Sequence, residues 1–196
     1  MEQYRLFDDF SDKVKRAIQL FQMFEDAAVR YHEDGYYLAF SGGKDSVVLY
    51  VLAKMAHVKF QAHYHLTTVD PPELVRFIRE AFPDVKVEYP ELTMWDLIVR
   101  TARYCCEVLK EGGGEGAFTV TGVRWEESRK RANRDFLEIH KKKGAIYLNC
   151  DNEEDRRKLE ICSLKGKRIL NPIIDWTEED IWCFIRKYQV PYCCLY

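Results

Sequence analysis

A short apolar, aromatic run, Tyr36-Tyr37-Leu38-Ala39-Phe40, gives way to Ser41-Gly42-Gly43-Lys44-Asp45-Ser46 and then to a second apolar stretch, Val47 to Ala53. The first run reads as a buried strand, and the second as a helix packed on the sheet. The two glycines between them let the backbone turn tightly and bring N–H groups close to an anion such as phosphate. The helix that starts beyond them adds its N-terminal partial positive charge. Ser41 and Ser46 offer hydroxyl donors, and Lys44 offers a cation for a phosphate. Asp45 is out of place in a simple anion cradle; it fits if Mg²⁺ accompanies the phosphates, because magnesium prefers oxygen ligands. The G-x-x-x-x-G-K-[ST] spacing of a Walker loop is absent. A bare S-G-G reads as a capped strand-to-helix turn, whereas strand, six-residue loop and helix in succession favour a phosphate site.

The rest of the chain repeats the strand-helix alternation. Val14, Ala17, Ile18, Phe21, Phe24 and Ala28 recur at helical spacing and predict an amphipathic helix over about 11–32, stopped by Gly35. Phe60–Leu66 reads as a second strand, and Pro71-Pro72 opens a helix that runs to about Phe82. Strands are expected at Val85–Glu88, Ala117–Gly122 and Ala145–Leu148, with short helices at Leu92–Val99 and Arg103–Lys110 and a charged helix from about Glu126. Pro172 ends a further strand-like stretch, and Thr177 with Asp180 has the spacing of a capping box for a last helix. Alternation of this kind predicts an α/β fold: a doubly wound, mostly parallel five-stranded sheet with helices on both faces, Rossmann-like. At 196 residues the chain reads as a single domain over 1–196.

A net charge of -2 supplies no bulk attraction to nucleic acid or to an anionic membrane. The polar N-terminus does not read as a signal peptide, and no apolar run approaches the length of a membrane span. A cytoplasmic protein is therefore expected, in which the seven cysteines are thiols, metal ligands or redox groups rather than structural disulfides.

Ser41–Ser46 resembles the S-G-G-x-D-S signature of the PP-loop, or adenine nucleotide alpha-hydrolase-like, superfamily. Thr121-Gly122-Val123-Arg124-Trp125-Glu126-Glu127-Ser128-Arg129 resembles the T-G-x-R-x-E-E-S-x-R segment of its phosphoadenosine phosphosulfate (PAPS) reductase family. Asn171-Pro172-Ile173-Ile174-Asp175-Trp176-Thr177 through Trp182 resembles that family's N-P-[LI]-x-x-W-[TS] segment, and Asp70 falls where the family carries an acidic residue at a strand end. The resemblance implies an enzyme of sulfur metabolism that binds ATP or PAPS. Ser41, Gly42, Gly43, Lys44 and Ser46 would hold the phosphates, with Asp45 aiding Mg²⁺ if ATP is the ligand. Asp70, Gly122, Arg124 and Arg129 would complete the pocket, Lys44 and Arg124 serving the chemistry. Gly122 ends a strand where open α/β sheets bind ligands, and arginines at 124 and 129 have the forked geometry for phosphate or sulfate. For Lys130, Arg131 and Arg134 a solvated helix face with i,i+4 pairs is the simpler reading. Lys165-Gly166-Lys167-Arg168 is either a second cationic stretch closing over phosphates or a plain surface loop. Trp176, Ile181 and Trp182 are expected to supply core contacts, and His63 and His65, sharing one strand face, to be satisfied strand histidines.

The resemblance leaves three readings of the reaction. A reductase would pass sulfur from the sulfonucleotide to a thiol, with a thioredoxin-like reductant, and release sulfite. An ATP pyrophosphatase would form AMP and pyrophosphate while activating an acceptor, which the intact Lys44-Asp45 favours. A nucleotide-binding module serving a partner subunit is the non-catalytic reading. Cys105-Cys106 resembles the adjacent pair that, in iron–sulfur relatives, joins a later C-x-x-C to bind a four-iron cluster. No C-x-x-C occurs in this sequence, so two small side chains on a helix are the preferred reading.

Overall fold

The computed structural model describes residues 2–97, 113–114, 116–141, 144–148, 151–154 and 167–196. Seven strands form one sheet: β1 (Tyr36–Ala39), β2 (Phe60–His65), β3 (Lys86–Glu88), β4 (Phe118–Val120), β5 (Leu137–Lys141), β6 (Gly144–Leu148) and β7 (Lys167–Leu170). Their order is β3-β2-β1-β4-β7-β5-β6. The first five in that order are parallel to one another, while β5 is antiparallel to both β7 and β6. The expected five-stranded sheet is thus a seven-stranded one. Its parallel part does hold five strands, but the fifth is Lys167–Leu170 rather than 145–148, which forms the antiparallel edge.

Helices surround the sheet: α1 (Glu2–Met23), α2 (Glu25–Tyr31), α3 (Lys44–Ala56), α4 (Pro72–Ala81), α5 (Met94–Leu97) and α6 (Glu178–Lys187). The single helix expected over 11–32 is two helices, because Phe24 leaves helical geometry at φ -108° and ψ 8°. Of the short helices expected after Leu92, Met94–Leu97 is present; Arg103–Lys110 lies outside the described residues. The last helix starts as its sequence predicts. The Thr177 hydroxyl accepts from the Asp180 N–H at 3.2 Å, and the Asp180 carboxylate accepts from the Thr177 N–H at 2.8 Å.

α3 is apolar on nearly every side, and Val47, Val48, Leu49, Leu52 and Ala53 are all fully buried. It touches α1, α6 and β1. Trp176 packs edge-on against Phe10 at 5.7 Å and obliquely against Phe184 at 5.6 Å, which ties the last helix to the first. These are the core contacts its sequence implies. Tyr36 is buried within β1 and donates its hydroxyl to the Phe21 carbonyl at 2.7 Å, so an aromatic core residue leaves no orphaned polar atom.

The charged helix expected from about Glu126 is absent. A 3-10 turn at Trp125–Glu127 is followed by turns and then by β5. Arg134 and Glu138 do pair at the i,i+4 spacing, at 2.8 and 3.0 Å, but they do so across the entry to a strand. Glu138 is fully buried and also contacts His140 at 2.5 Å and accepts from the Asn171 side-chain amide at 2.8 Å. Asn171 in turn accepts from the Thr121 hydroxyl, so this cluster ties β5 to the end of β4. Burial by itself would raise the Glu138 carboxyl, but the bonds from His140 and Arg134 outweigh it and hold the group below its ordinary 4.5.

Two expectations follow. Glu138→Ala leaves a guanidinium and a buried amide without their partner, and should lower the unfolding free energy by about 3 kcal/mol in urea titrations. Because the folded carboxyl titrates below the unfolded one, its contribution is complete above pH 4.5 and is lost as pH falls through the folded value. The variant should therefore lose less stability than the parent on acidification.

Candidate functional site

The strand order reverses at β1: β2 lies on one side of it and β4 on the other. In open α/β sheets the crevice forms at the carboxyl ends of the strands flanking such a switch point. Those ends carry Ser41–Ser46 after β1 and Thr121-Gly122 after β4. A crevice of about 410 Å³ opens there, lined by Ser41, Asp70, Leu74, Tyr196 and the polar face of β1 and β2. A second cavity of similar size lies at the start of β2, beside Tyr50, Lys54 and Asp84, at the opposite end of the strands from the loop.

The loop is close-packed around its glycines. Gly42 sits at φ +73°, a left-handed conformation that side chains disfavour, and a Cβ there would come within 2.7 Å of Leu74 and 2.8 Å of Ile78 on α4. Gly122 approaches from β4, where a Cβ would lie 3.2 Å from that of Asp45. The serines shape the loop from within. Ser46 Oγ accepts from the Ser41 N–H at 3.2 Å and donates to the Gly43 carbonyl at 2.8 Å. Ser41 Oγ accepts from the Gly43 N–H at 3.3 Å. Lys44, Asp45 and Ser46 form the first turn of the 13-residue α3, with Gly43 as its N-cap.

Behind the loop stands a ring of charges. Arg124 Nε lies 2.7 Å from Asp45 Oδ1 and its Nη2 lies 2.8 Å from Glu178 Oε2. Lys44 Nζ closes the ring, 3.6 Å from Asp45 Oδ2 and 3.4 Å from Glu178 Oε1. Glu126 adds a third carboxylate to Arg124 at 3.1 Å, and it also accepts from the Glu178 N–H at 2.6 Å at the head of α6. The Arg124 side chain is only 4% exposed. Burial works to raise the Glu178 carboxyl, but Arg124, Lys44 and the Trp182 indole outweigh it and lower the group below its ordinary value.

The structure therefore brings Lys44, Asp45, Gly122 and Arg124 together, with Arg124 engaged by three carboxylates. Asp70 lines the crevice; its Oδ2 accepts from the Thr67 N–H at 2.5 Å and the Thr67 hydroxyl at 2.7 Å. Arg129 is exposed and is not among the residues lining the crevice. Of the cationic stretch at 165–168, Lys167 donates to the Gly113 carbonyl at 2.6 Å, and the Arg168 guanidinium lies 3.8 Å from the centre of the Tyr31 ring. Cys105 and Cys106 lie outside the described residues. Among the described residues no group of three or more His, Cys, Asp or Glu side chains gathers to hold a metal ion.

Several contacts in the crevice and around the loop escape a reading of motifs. Tyr37 stacks on His63 with ring centres 4.1 Å apart and hydrogen-bonds His65 through its hydroxyl, while His63 Nδ1 meets Glu88 at 2.9 Å. Burial, only partly opposed by Glu88, lowers both histidines below their ordinary value. Glu178 and Tyr196 also reach the loop, the latter with its ring 5.7 Å from Lys44 Nζ. The shared strand face of His63 and His65 is the one advance signal, and their hydrogen bonds agree with the reading of satisfied strand histidines.

The phosphoadenosine phosphosulfate reductase domain family matches residues 35–196. An adenosine 5'-phosphosulfate reductase of Staphylococcus haemolyticus is 26% identical over 188 residues, covering 84% of this chain and 66% of that protein. FMN adenylyltransferase of Candida glabrata, in complex with ATP, superposes with a TM-score of 0.62 at 14% identity, over 96% of this chain and 58% of its own. The phosphoadenylyl-sulfate (PAPS) reductase of Candida auris, a phosphate complex, gives 0.55 at 14% identity, over 89% and 82%. These two show the shared fold. This chain thus spans just under two thirds of the staphylococcal reductase's length. The described helices contain none long and apolar enough to cross a membrane. With a family match running from the first strand to Tyr196, the chain belongs to the phosphoadenosine phosphosulfate reductase domain family.

Proposed function

We propose that this chain is a nucleotide-dependent enzyme of sulfur metabolism that binds ATP or PAPS in the crevice, with the phosphates on Ser41–Ser46. The observation that carries the reading is the placement of a glycine loop and the head of α3 at the sheet's switch point, beside a cavity of about 410 Å³ that the loop reaches through Ser41. That volume falls within the range of small-molecule sites. The phosphates would meet the N–H groups at the start of α3 and the Lys44 ammonium, and the nucleoside would extend over Tyr37, Ala39 and His63. Ser41 and Ser46 would act mainly by holding the loop in shape, since each already has a partner inside it.

Catalysis in this arrangement is orientation together with charge stabilisation at the phosphate being displaced. Arg124 would act through Asp45 and Glu178, fixing the carboxylates that surround Lys44, unless those partners release it to the ligand. If ATP is the ligand, Asp45 would be the residue to help hold magnesium, although its oxygens already face Arg124 and Lys44, and the ion would supply charge neutralisation on the triphosphate. The carboxylates beside Lys44 favour the ATP form of the reading, in which AMP and pyrophosphate are released as an acceptor is activated. The kinship with adenosine 5'-phosphosulfate reductase favours the other form, in which a thioredoxin-like protein reduces the enzyme and sulfite leaves.

One assay separates these forms. The protein, purified anaerobically, is given ATP with Mg²⁺ or PAPS with thioredoxin, and pyrophosphate and sulfite are measured. Pyrophosphate is the expected product; sulfite alone would assign the reductase form, and tight nucleotide binding with neither product would assign a binding module. In a parallel calorimetric titration, Lys44→Ala should weaken ATP binding about ten-fold, the loss of one charge-assisted contact. Stability should fall by less than about 1 kcal/mol, because the ring retains its Arg124 pairs. Unchanged affinity would remove Lys44 from the site.

A further inference from the structure

Glu178 is the member of the charge ring contributed by α6, and apart from accepting the Trp182 indole its side chain shares its structural duties with other groups. The head of α6 is capped by Thr177, and the Glu178 N–H is taken by Glu126. Arg124 keeps Asp45 and Glu126 without it. The side chain is 48% exposed, so its charge is not a requirement of the core. Its two oxygens nevertheless converge on cations. Oε2 meets Arg124 at 2.8 Å, while Oε1 meets Lys44 at 3.4 Å and accepts from the Trp182 indole at 3.0 Å.

The charges around the loop are unbalanced. Lys44 and Arg124 face Asp45, Glu126 and Glu178, two cations against three carboxylates. A phosphate approaching the head of α3 meets Lys44 already paired, in a field that is net negative. A carboxylate and a phosphate use the same forked, anionic oxygens toward these cations.

We propose that Glu178 is a positioning residue that competes with nucleotide phosphate for Lys44: it holds the ammonium at the head of α3 and must yield it for the phosphate to take. The proposal rests on the nucleotide reading above and deepens it, since it makes Glu178 the residue that sets phosphate affinity. Trp182 and Arg124 keep the displaced carboxylate in place, so it returns to Lys44 when phosphate leaves.

The test is calorimetric binding of ATP, and separately of inorganic pyrophosphate, to the full chain with EDTA present. Glu178→Gln should tighten both ligands about three-fold, the size of a half-exposed ion pair. Glu178→Asp, with its carboxylate drawn back from Lys44, should tighten them by less, and it serves as the second variant should the first fold poorly. In a Lys44→Ala background the gain from Glu178→Gln should vanish. A merely structural role predicts weaker binding in Glu178→Gln, and a diffuse field effect predicts the same gain in both backgrounds; either result overturns the proposal. If Lys44→Ala weakens binding but Glu178→Gln does not tighten it, only the proposal falls. If the unaltered chain binds neither ligand, the nucleotide reading falls and takes the proposal with it.

Discussion

The buried guanidinium of Arg124 is the constraint around which the functional end of this molecule is arranged. A cation withdrawn from water costs several kcal/mol unless charges and hydrogen bonds replace its hydration. Here the replacements come from three separate places: Asp45 on the first turn of α3, Glu126 just beyond β4, and Glu178 on the first turn of α6. Satisfying Arg124 therefore fixes the positions of two helix heads and the end of a central strand together. Gly122 suits the same arrangement, since a Cβ there would lie a tight 3.2 Å from that of Asp45.

The same arrangement explains why the loop is ordered by its own groups. An α-helix start leaves N–H groups without partners, and the loop preceding α3 has few neighbours to supply them. Ser41 and Ser46 instead tie the loop itself, accepting from the Gly43 and Ser41 N–H groups, so the head of α3 has no side-chain cap, and Gly42 accepts the left-handed turn that the path requires. A loop already in shape has less conformational entropy to lose when an anion arrives. The cost is that Lys44 also has partners already, so any ligand exchanges contacts instead of gaining them outright.

Much of this was legible in the sequence, for reasons that differ by residue. Tyr36–Phe40, Ser41–Ser46 and Val47–Ala53 declared themselves because a buried strand, a glycine turn and a helix each have a local signature. Trp176 and the Thr177–Asp180 box did so as well. The stretch from Glu126 to Lys141 did not, because its charges mimic a solvated helix while Leu137 and Ile139 are in fact the buried side chains of a strand. Local pattern cannot separate an i,i+4 pair on a helix from Arg134 and Glu138 meeting across a turn. The pairing of Arg124 with Glu126, two positions on, was within reach of the sequence, but that with Glu178 was not, since it lies 54 positions away and only the folded sheet brings them together. Tyr196 reaches the loop through tertiary packing alone.

The crevice also has a gradient of charge that follows from strand alternation. Along β1, Tyr36 and Leu38 face the core while Tyr37 and Ala39 face the crevice; in the parallel register Ala39 lies beside His63. Burial lowers His63 and His65 below their ordinary value and the Tyr37 ring stacks on His63, with Lys167 and the Glu88 carboxylate the charged groups at this end. The loop end carries the denser set of charges, together with helix N–H groups. A ligand with a flat, uncharged, hydrogen-bonding part at one end and phosphates at the other complements both ends. An inorganic anion would satisfy only one of them. Under the proposed reading, the aromatic and histidine wall then selects for a nucleoside, while Lys44 and its carboxylates govern how tightly the phosphates are held. The two halves of the site answer to different physics, desolvation at one end and charge exchange at the other, and so can change independently of each other.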